Sequence, residues 1–288
     1  MSTEQPKIPT FSFELFPPKT ESGATKLHQT VTTLNARRPE YFSVTYGAGG
    51  STQSKTFATV DWIQQQDIEI APHLSCIGST REEIIGILDR YRAQGIGRIV
   101  ALRGDLPSGA GAGSMGDLNH ANELVTLIRQ HSGKAFRIEV AAYPEMHPQA
   151  INLESDLDNF KRKVDAGADA AITQYFYNAD AYGHFISACE RRAIDVPVVP
   201  GVMPITNFSN LRRFSDACGA EIPRWLRKQL EAYGDDIESI RALGIEVVTS
   251  LCERLIEMGA PGLHFYTMNQ AGPTLAICDN LGLGRQTD

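Results

Sequence analysis

The 288-residue chain has little that would mark a secreted, metal-binding or nucleic-acid-binding protein. Its five cysteines, Cys76, Cys189, Cys218, Cys252 and Cys278, are odd in number, scattered, and never spaced C-x-x-C. A disulfide framework and a zinc site are therefore not expected, and a reducing compartment fits best. Lysine and arginine number 27 against 34 aspartates and glutamates, a net charge of -7. That balance argues against a nucleic-acid or anionic-membrane surface. No apolar run approaches the roughly 18–20 residues needed to cross a bilayer. The opening MSTEQPKIPT has neither the basic flank nor the apolar stretch of a secretory signal. No linker, charge block or low-complexity segment divides the sequence. The expectation is a cytoplasmic protein built as one domain over 1–288.

What the chain does have is a rhythm of short β-rich runs and helical patterns. Candidate strands are 11–16, 41–46, 68–76, 98–104, 136–143, 170–176, 196–202 and 262–268. Between them, 82–95 places Ile84, Ile85, Leu88 and Tyr91 on one helical face and ends at Gly95; 154–167 ends likewise at Gly167. Parallel neighbours need long crossovers, so strands alternating with helices predict a parallel sheet. Eight of them predict an α/β fold, a closed (β/α)8 barrel. The interval between strands seven and eight is irregular. It holds helix candidates at 205–217 and 222–234 before a long eighth helix around 236–259, so an extra helix is expected there.

One glycine motif is a decoy. Gly111, Gly113 and Gly116 in GAGAGSMG match G-x-G-x-x-G, and Glu139 falls near the offset of a ribose-binding acid. The first glycine lies too far past its strand for the tight turn, however. Glu139 also sits inside a strand rather than at a carboxyl end. A mobile loop over 108–116 is the expected alternative.

The first strand carries the sharper signal. In SFELFPPKT, Phe11, Phe13 and Leu15 share one side of a period-2 ribbon, while Ser12 and Glu14 take the other. Pro17 and Pro18 end the strand. The carboxyl ends of the other strands are polar too: Thr45 and Tyr46, His73, Arg103 with Gly104 and Asp105, Tyr143 then His147, and Gln174. Ser43 is in phase with Thr45, Ala101 with Arg103 and Asp105, and Ala170 with Ile172 and Gln174. Barrel enzymes gather their chemistry at that rim. Each residue also has a structural explanation. Glu14 could be half of an ion pair with Arg103, His73 a satisfied core histidine, and Asp105 a turn former.

The segments SFELFPPKT, FSVTYGAGG, APHLSC, IVALRGDLP, AAYPEMHP, FKRKVDAGADAAITQYFY, PGVMPITNF and HFYTMN run in order across nearly the whole chain. Together they resemble the short bacterial methylenetetrahydrofolate reductases. The resemblance implies a barrel holding FAD and reducing 5,10-methylenetetrahydrofolate to 5-methyltetrahydrofolate with NADH or NADPH. That reaction supplies methyl groups for methionine. It implies Glu14 as proton donor, its pKa raised by an apolar lumen, and Asp105 as the carboxylate stabilising an iminium cation. It implies substrate contacts at Gln174, Phe214, Asn210 and Gln270, although Phe214 could equally be a core residue. FAD contacts are implied at Thr45, Tyr46, His73, Arg103, Gly104, Asp105, Ala121, Tyr143, His147, Asp156, Asn159, Arg162 and Lys163, and no metal. Gln270 replaces an expected arginine, Asn210 a glutamine and His120 a tyrosine, and the 108–116 loop is longer than expected. Further expectations are a homo-oligomer, no regulatory domain of the kind longer eukaryotic relatives carry, and no inhibition by adenosylmethionine. The rival functions are another flavin barrel oxidoreductase, proline-dehydrogenase-like, and a folate-binding protein without turnover.

Overall fold

Strand β1, Thr10–Leu15, runs into Pro17 and Pro18, and the side chain of Thr20 then caps helix α1, Glu21–Asn35, by accepting from Gly23 N at 3.1 Å. A computed structural model describes residues 9–46, 50–105 and 116–284 of the chain. From β1 the βα rhythm continues as β2 (Phe42–Val44), α2 (Gly50–Gln64), β3 (Ile70–Ser75), α3 (Arg81–Ala93), β4 (Arg98–Leu102), α4 (Ala121–Ser132), β5 (Arg137–Ala142), α5 (Leu153–Asp165), β6 (Ala170–Thr173) and α6 (Ala179–Arg191). Local chemistry fixes the helix ends. Thr80 and Glu83 form a reciprocal capping box on α3, and Gly95 follows it at φ 77°.

The seventh strand is split by Pro200, which has no N–H for the ladder, into β7 (Val198–Val199) and β8 (Gly201–Val202). Helices α7 (Phe208–Cys218), α8 (Arg224–Tyr233) and α9 (Ile237–Glu257) follow, then β9 (Gly262–Tyr266) and α10 (Ala271–Leu281). All pairings are parallel, in the order β7-β6-β5-β4-β3-β2-β1-β9-β8. Because β7 and β8 are halves of one strand, the sheet returns on itself and the architecture is the expected (β/α)8 barrel. Three helices cross from the seventh strand to the eighth, two more than a single crossover needs. The long helix expected as the eighth is α9, ahead of the last strand. The helix that closes the barrel is α10, unread in the sequence because Gly272 and Pro273 in its first turn blunt the pattern.

Register sorts the side chains into two cores. Phe13, Leu15, Phe42, Val44, Leu74, Ile99 and Val140 pack outward beneath the helices. Inward, Glu14 lies beside Ser43 and Tyr266, His73 beside Val100, Val100 beside Glu139, and Ser12 beside His264. The small apolar plug of the lumen is Tyr41, Ala71, Val100 and Ile172, with Leu102 and Tyr266 against it. This corrects the phase expected for β4. Ala101 belongs to the outer core, and Val100 and Leu102 face the lumen. Arg103 and Asp105 lie beyond the strand's end at Leu102, where alternation no longer governs direction.

Gly201 sits where the barrel closes. A Cβ there would clash with the Thr173 carbonyl oxygen and meet Tyr266 Cε2 at 2.5 Å. Gly201→Ala is therefore expected to destabilise the fold by about 1–3 kcal/mol through overpacking, read from the urea unfolding midpoint. An unchanged midpoint would show that this seam has slack.

Candidate active site

Glu14 enters the lumen at the carboxyl end of β1 with 17% of its side chain exposed. Its neighbours are imidazoles. His73 Nε2 lies 3.3 Å from Glu14 Oε2, and His264 Nε2 lies 3.5 Å from the same oxygen. His73 Nε2 is buried and has no fully aligned hydrogen-bond partner in the protein. His264 is completely buried, with Ser12 Oγ 2.7 Å from its Nδ1 and Ser43 Oγ 3.4 Å from its Nε2.

This environment reverses the expected direction of the Glu14 pKa. Burial does push it up, but the charge of His73, the close approach of both imidazoles and the charge of His264 outweigh that, leaving the carboxyl at about 2. The lumen is not the apolar sleeve the sequence suggested; it carries counter-charges for the acid. Nor is Arg103 the partner of Glu14, since its Nε donates to the Gly104 carbonyl at 3.2 Å. His264 went unremarked in the sequence. The signal was available: a histidine inside GLHFY is as out of place in a buried strand as a glutamate inside FSFEL.

A second cluster forms on the rim above β4 and β5. Gly104, at φ 85°, packs so closely that a Cβ would strike Ser75 Oγ, which fixes the turn between Arg103 and Asp105. Tyr143 and His147 meet edge to face at 4.5 Å. Burial raises the Tyr143 phenol to about 12, with Asp156 and Asp105 adding to it and Arg103 opposing. Burial lowers the His147 pKa, against Asp156. Asp156 accepts from His147 N at 2.8 Å. On α5, Arg162 donates to Asn159 at 2.7 Å, and Lys161 turns outward to Asp165. Lys163 turns inward instead, donating to the Ala141 carbonyl at 2.5 Å. Its depressed pKa separates it from an ordinary cation at a helix end: burial lowers it to about 8, with Asp156 only partly restoring it. Such a half-satisfied cation near Arg103 and His147 suits an anionic group such as a diphosphate, while Arg162 lies exposed beside Asn159.

The remaining predicted residues distribute around the mouth. Thr45 N bonds the Leu15 carbonyl at 2.9 Å, and the Tyr46 hydroxyl accepts from Gln53 at 2.6 Å. Ala121 is the first residue of α4, capped by His120. Asn210, Phe214 and Gln270 line one recess with Met203, Thr206, Asn207 and Met268, about 320 Å³ of empty space open to solvent. Gln174 is not in it; with Tyr143, Glu145, Tyr175 and Cys218 it lines a smaller recess at the other end of α7. Of the glycine motif, Gly116 is described, at φ 72°, and Gly111 and Gly113 fall outside the described residues. Glu139 is no ribose ligand: it lies buried in the lumen, paired with Arg98 at 2.7 Å. Among the described residues there is no cluster suited to a metal ion and no helix long and apolar enough to cross a membrane.

The family profile for methylenetetrahydrofolate reductase matches residues 2–282. The chain belongs to the methylenetetrahydrofolate reductase family. The 5,10-methylenetetrahydrofolate reductase of Escherichia coli is 40% identical over 273 residues, covering 94% of this chain and 90% of that protein. Methylenetetrahydrofolate reductase (NADH) 1 of Arabidopsis thaliana is 38% identical, covering 98% of this chain and 49% of that protein. Among solved structures, a Clostridium thermocellum protein described as binding two copies of 5-methyl-5,6,7,8-tetrahydrofolic acid superposes with a TM-score of 0.68 at 18% identity, covering 97% of this chain and 94% of its own; that likeness concerns the fold. A methylenetetrahydrofolate reductase is an oxidoreductase acting on a folate, which sets aside the proline-dehydrogenase-like alternative.

The Lys163 environment has a pH signature. Its folded pKa is lowered from 10.5 to about 8, so the unfolded chain holds the extra proton between those values. Its contribution to stability therefore rises with pH across that window, by at most roughly 1.4 kcal/mol per pH unit. The stability difference between wild type and Lys163→Met should shift in wild type's favour as pH goes from about 8 to about 10. A difference independent of pH would mean that this ammonium is fully solvated.

Proposed function

We propose that the protein reduces 5,10-methylenetetrahydrofolate to 5-methyltetrahydrofolate, with FAD on the rim and NADH or NADPH as electron donor. The observation that carries this is Glu14 held at the lumen mouth by His73 and His264, directly below a rim of cations and aromatics. Membership of the family supports the substrate. The five cysteines are free thiols, in keeping with a reducing, cytoplasmic setting.

The residues present fit a flavin dinucleotide. Lys163, Arg103, Arg162 and His147 would hold its diphosphate, Asp156 and Asn159 would keep those cations and the loop aligned, and Thr45, Tyr46, His73, Gly104, Ala121 and Tyr143 would border the ring system and its chain. Bound there, FAD supplies the hydride that converts the methylene carbon to a methyl group.

The protein's own work is proton management and binding. The methylene carbon bridges two ring-system nitrogens, and opening the bridge toward a 5-iminium cation requires a proton on the departing N10. Glu14 is the group placed to hand it over. Held low by its two imidazoles, Glu14 must first gain the proton it delivers. Asp105, exposed on the rim, supplies the negative charge that favours the cation. Gln174 and the recess of Asn210, Phe214 and Gln270 bind the folate and the nicotinamide nucleotide in turn. That recess has amides and an aromatic but no cation of its own among its lining residues. Gln270 in the place of the arginine expected from the resemblance thus weakens its hold on carboxylates.

Glu14→Gln should leave reduction of the flavin by NADH largely intact and slow reduction of methylenetetrahydrofolate by at least ~100-fold. Stopped-flow traces of the two half-reactions decide it: equal loss in both would make Glu14 a structural carboxylate. A purified protein that stays colourless with added FAD yet binds folate would overturn the flavin assignment and favour a binding protein.

A further inference from the structure

Strand β1 ends at Leu15, one residue past its last partner on β9, the pair Glu14 and Tyr266. After Tyr266 the chain turns away through two successive left-handed residues, Met268 at φ 52° and Asn269 at φ 55°. Asparagine adopts that conformation readily and methionine does not, so the turn needs fastening. Its ties lead to the end of β1 and to α1. Thr267 is 2% exposed, and its Oγ1 donates to the Glu14 carbonyl at 2.7 Å while accepting from Asn269 N at 3.1 Å. Thr30 Oγ1, from α1, donates to the Asn269 carbonyl at 3.3 Å.

The Asn269 side chain itself reaches Phe16. Its Oδ1 accepts from Phe16 N at 3.0 Å, and its Nδ2 donates to the Phe16 carbonyl at 2.8 Å. A carboxamide carries the donor and acceptor of a peptide group, so Asn269 supplies the next rung of the ladder after the β9 backbone has left it. The partners fix which way the amide faces, since a backbone N–H can only donate and a carbonyl only accept. On the other edge of β1, Thr45 N donates to the Leu15 carbonyl at 2.9 Å, and Pro17 and Pro18 then have no N–H to offer any strand. Met268 and Gln270, on either side of Asn269, line the recess that holds Asn210 and Phe214. One turn thus touches both the strand of the acid and the wall of the recess.

We infer that Asn269 is a positioning residue for Glu14: by continuing the ladder with its carboxamide, it fixes the end of β1 relative to the recess wall formed by Met268 and Gln270. This rests on the proposed folate reduction for its use, though not for its geometry. Proton delivery from Glu14 to N10 demands hydrogen-bond reach, and a misplacement of about 1 Å can cost on the order of 100-fold in rate. Folate seated in the recess and the acid on β1 keep that reach only while the two are tied together. The residue type is specific. Aspartate would accept the left-handed backbone, but it has no hydrogen for the Phe16 carbonyl and would set oxygen against oxygen there. Glycine would accept the turn and bring no side chain at all. The two substitutions therefore separate the amide from the turn.

Asn269→Gly and Asn269→Asp test this in the full-length protein. Hydrogen–deuterium exchange isolates the Phe16 amide well, because Pro17 and Pro18 after it carry no amide hydrogen. In ligand-free wild type that amide should be protected. In both variants its exchange should speed up by about 10-fold or more while the amides within β1 stay protected. With FAD added, kcat for methylenetetrahydrofolate reduction should fall by about 10-fold or more with KM little changed. The limiting rate of flavin reduction by NADH, which needs no Glu14, should hold. An unprotected Phe16 amide in wild type, or a wild-type kcat in either variant, overturns the inference. So does an equal fall in both half-reactions, or loss of protection throughout β1, since either would make Asn269 a general strut of the barrel. If wild type protects Phe16 but reduces no folate, it is the proposed function that fails.

Discussion

A carboxylate caught between two imidazoles, inside a barrel whose lumen is otherwise closed by side chains, is the interaction on which this site depends. Leaving Glu14 unpaired there would cost several kcal/mol of lost hydration. His73 and His264, 3.3 and 3.5 Å from the same oxygen, offset that cost. A barrel strand can present such a group only at a lumen-facing position near its carboxyl end, which is where β1 carries it.

Lumen and rim divide the work. Inside, Ser12, Ser43, Tyr41, Glu139 and His264 form hydrogen bonds whose partners are fixed by parallel register, so their geometry is as rigid as the sheet. On the rim, Arg103, His147, Asp156 and Lys163 ride on loops and on α5 around a small group of interior charges. Burial holds the pKa of the Lys163 ammonium at about 8, so it is costly to keep charged there, and Asp156 only partly offsets that cost.

Much of this was legible before any coordinates. Short β-rich runs placed all eight barrel strands, and period 2 put Glu14 on the lumen side because an acid among Phe11, Phe13 and Leu15 had to face the other way. His264 followed the same rule but hid among aromatic neighbours in GLHFYTM. The β4 residues misled because Arg103 and Asp105 lie past the strand, where the alternation that seemed to tie them to Ala101 has already ended. Helix α10 escaped because its first turn contains Gly272 and Pro273. The Glu14 pKa was misjudged for a deeper reason. Desolvation can be guessed from one strand's composition, whereas the opposing charges come from β3 and β9, far away in sequence and adjacent only in the closed sheet. Family resemblance assigned roles to residues at the rim, whereas the lumen contacts of His264 with Ser12 and Glu14 belong to the closed sheet.

The charge state of Glu14 in the resting protein can be measured directly. Infrared difference spectroscopy of ligand-free wild type against Glu14→Gln, at about pH 6, isolates the vibration of this one carboxyl group. A carboxylate band without a protonated carboxyl band is the predicted result. A protonated carboxyl signal at that pH, absent from the variant, would show that burial prevails over the two imidazoles and would contradict the account.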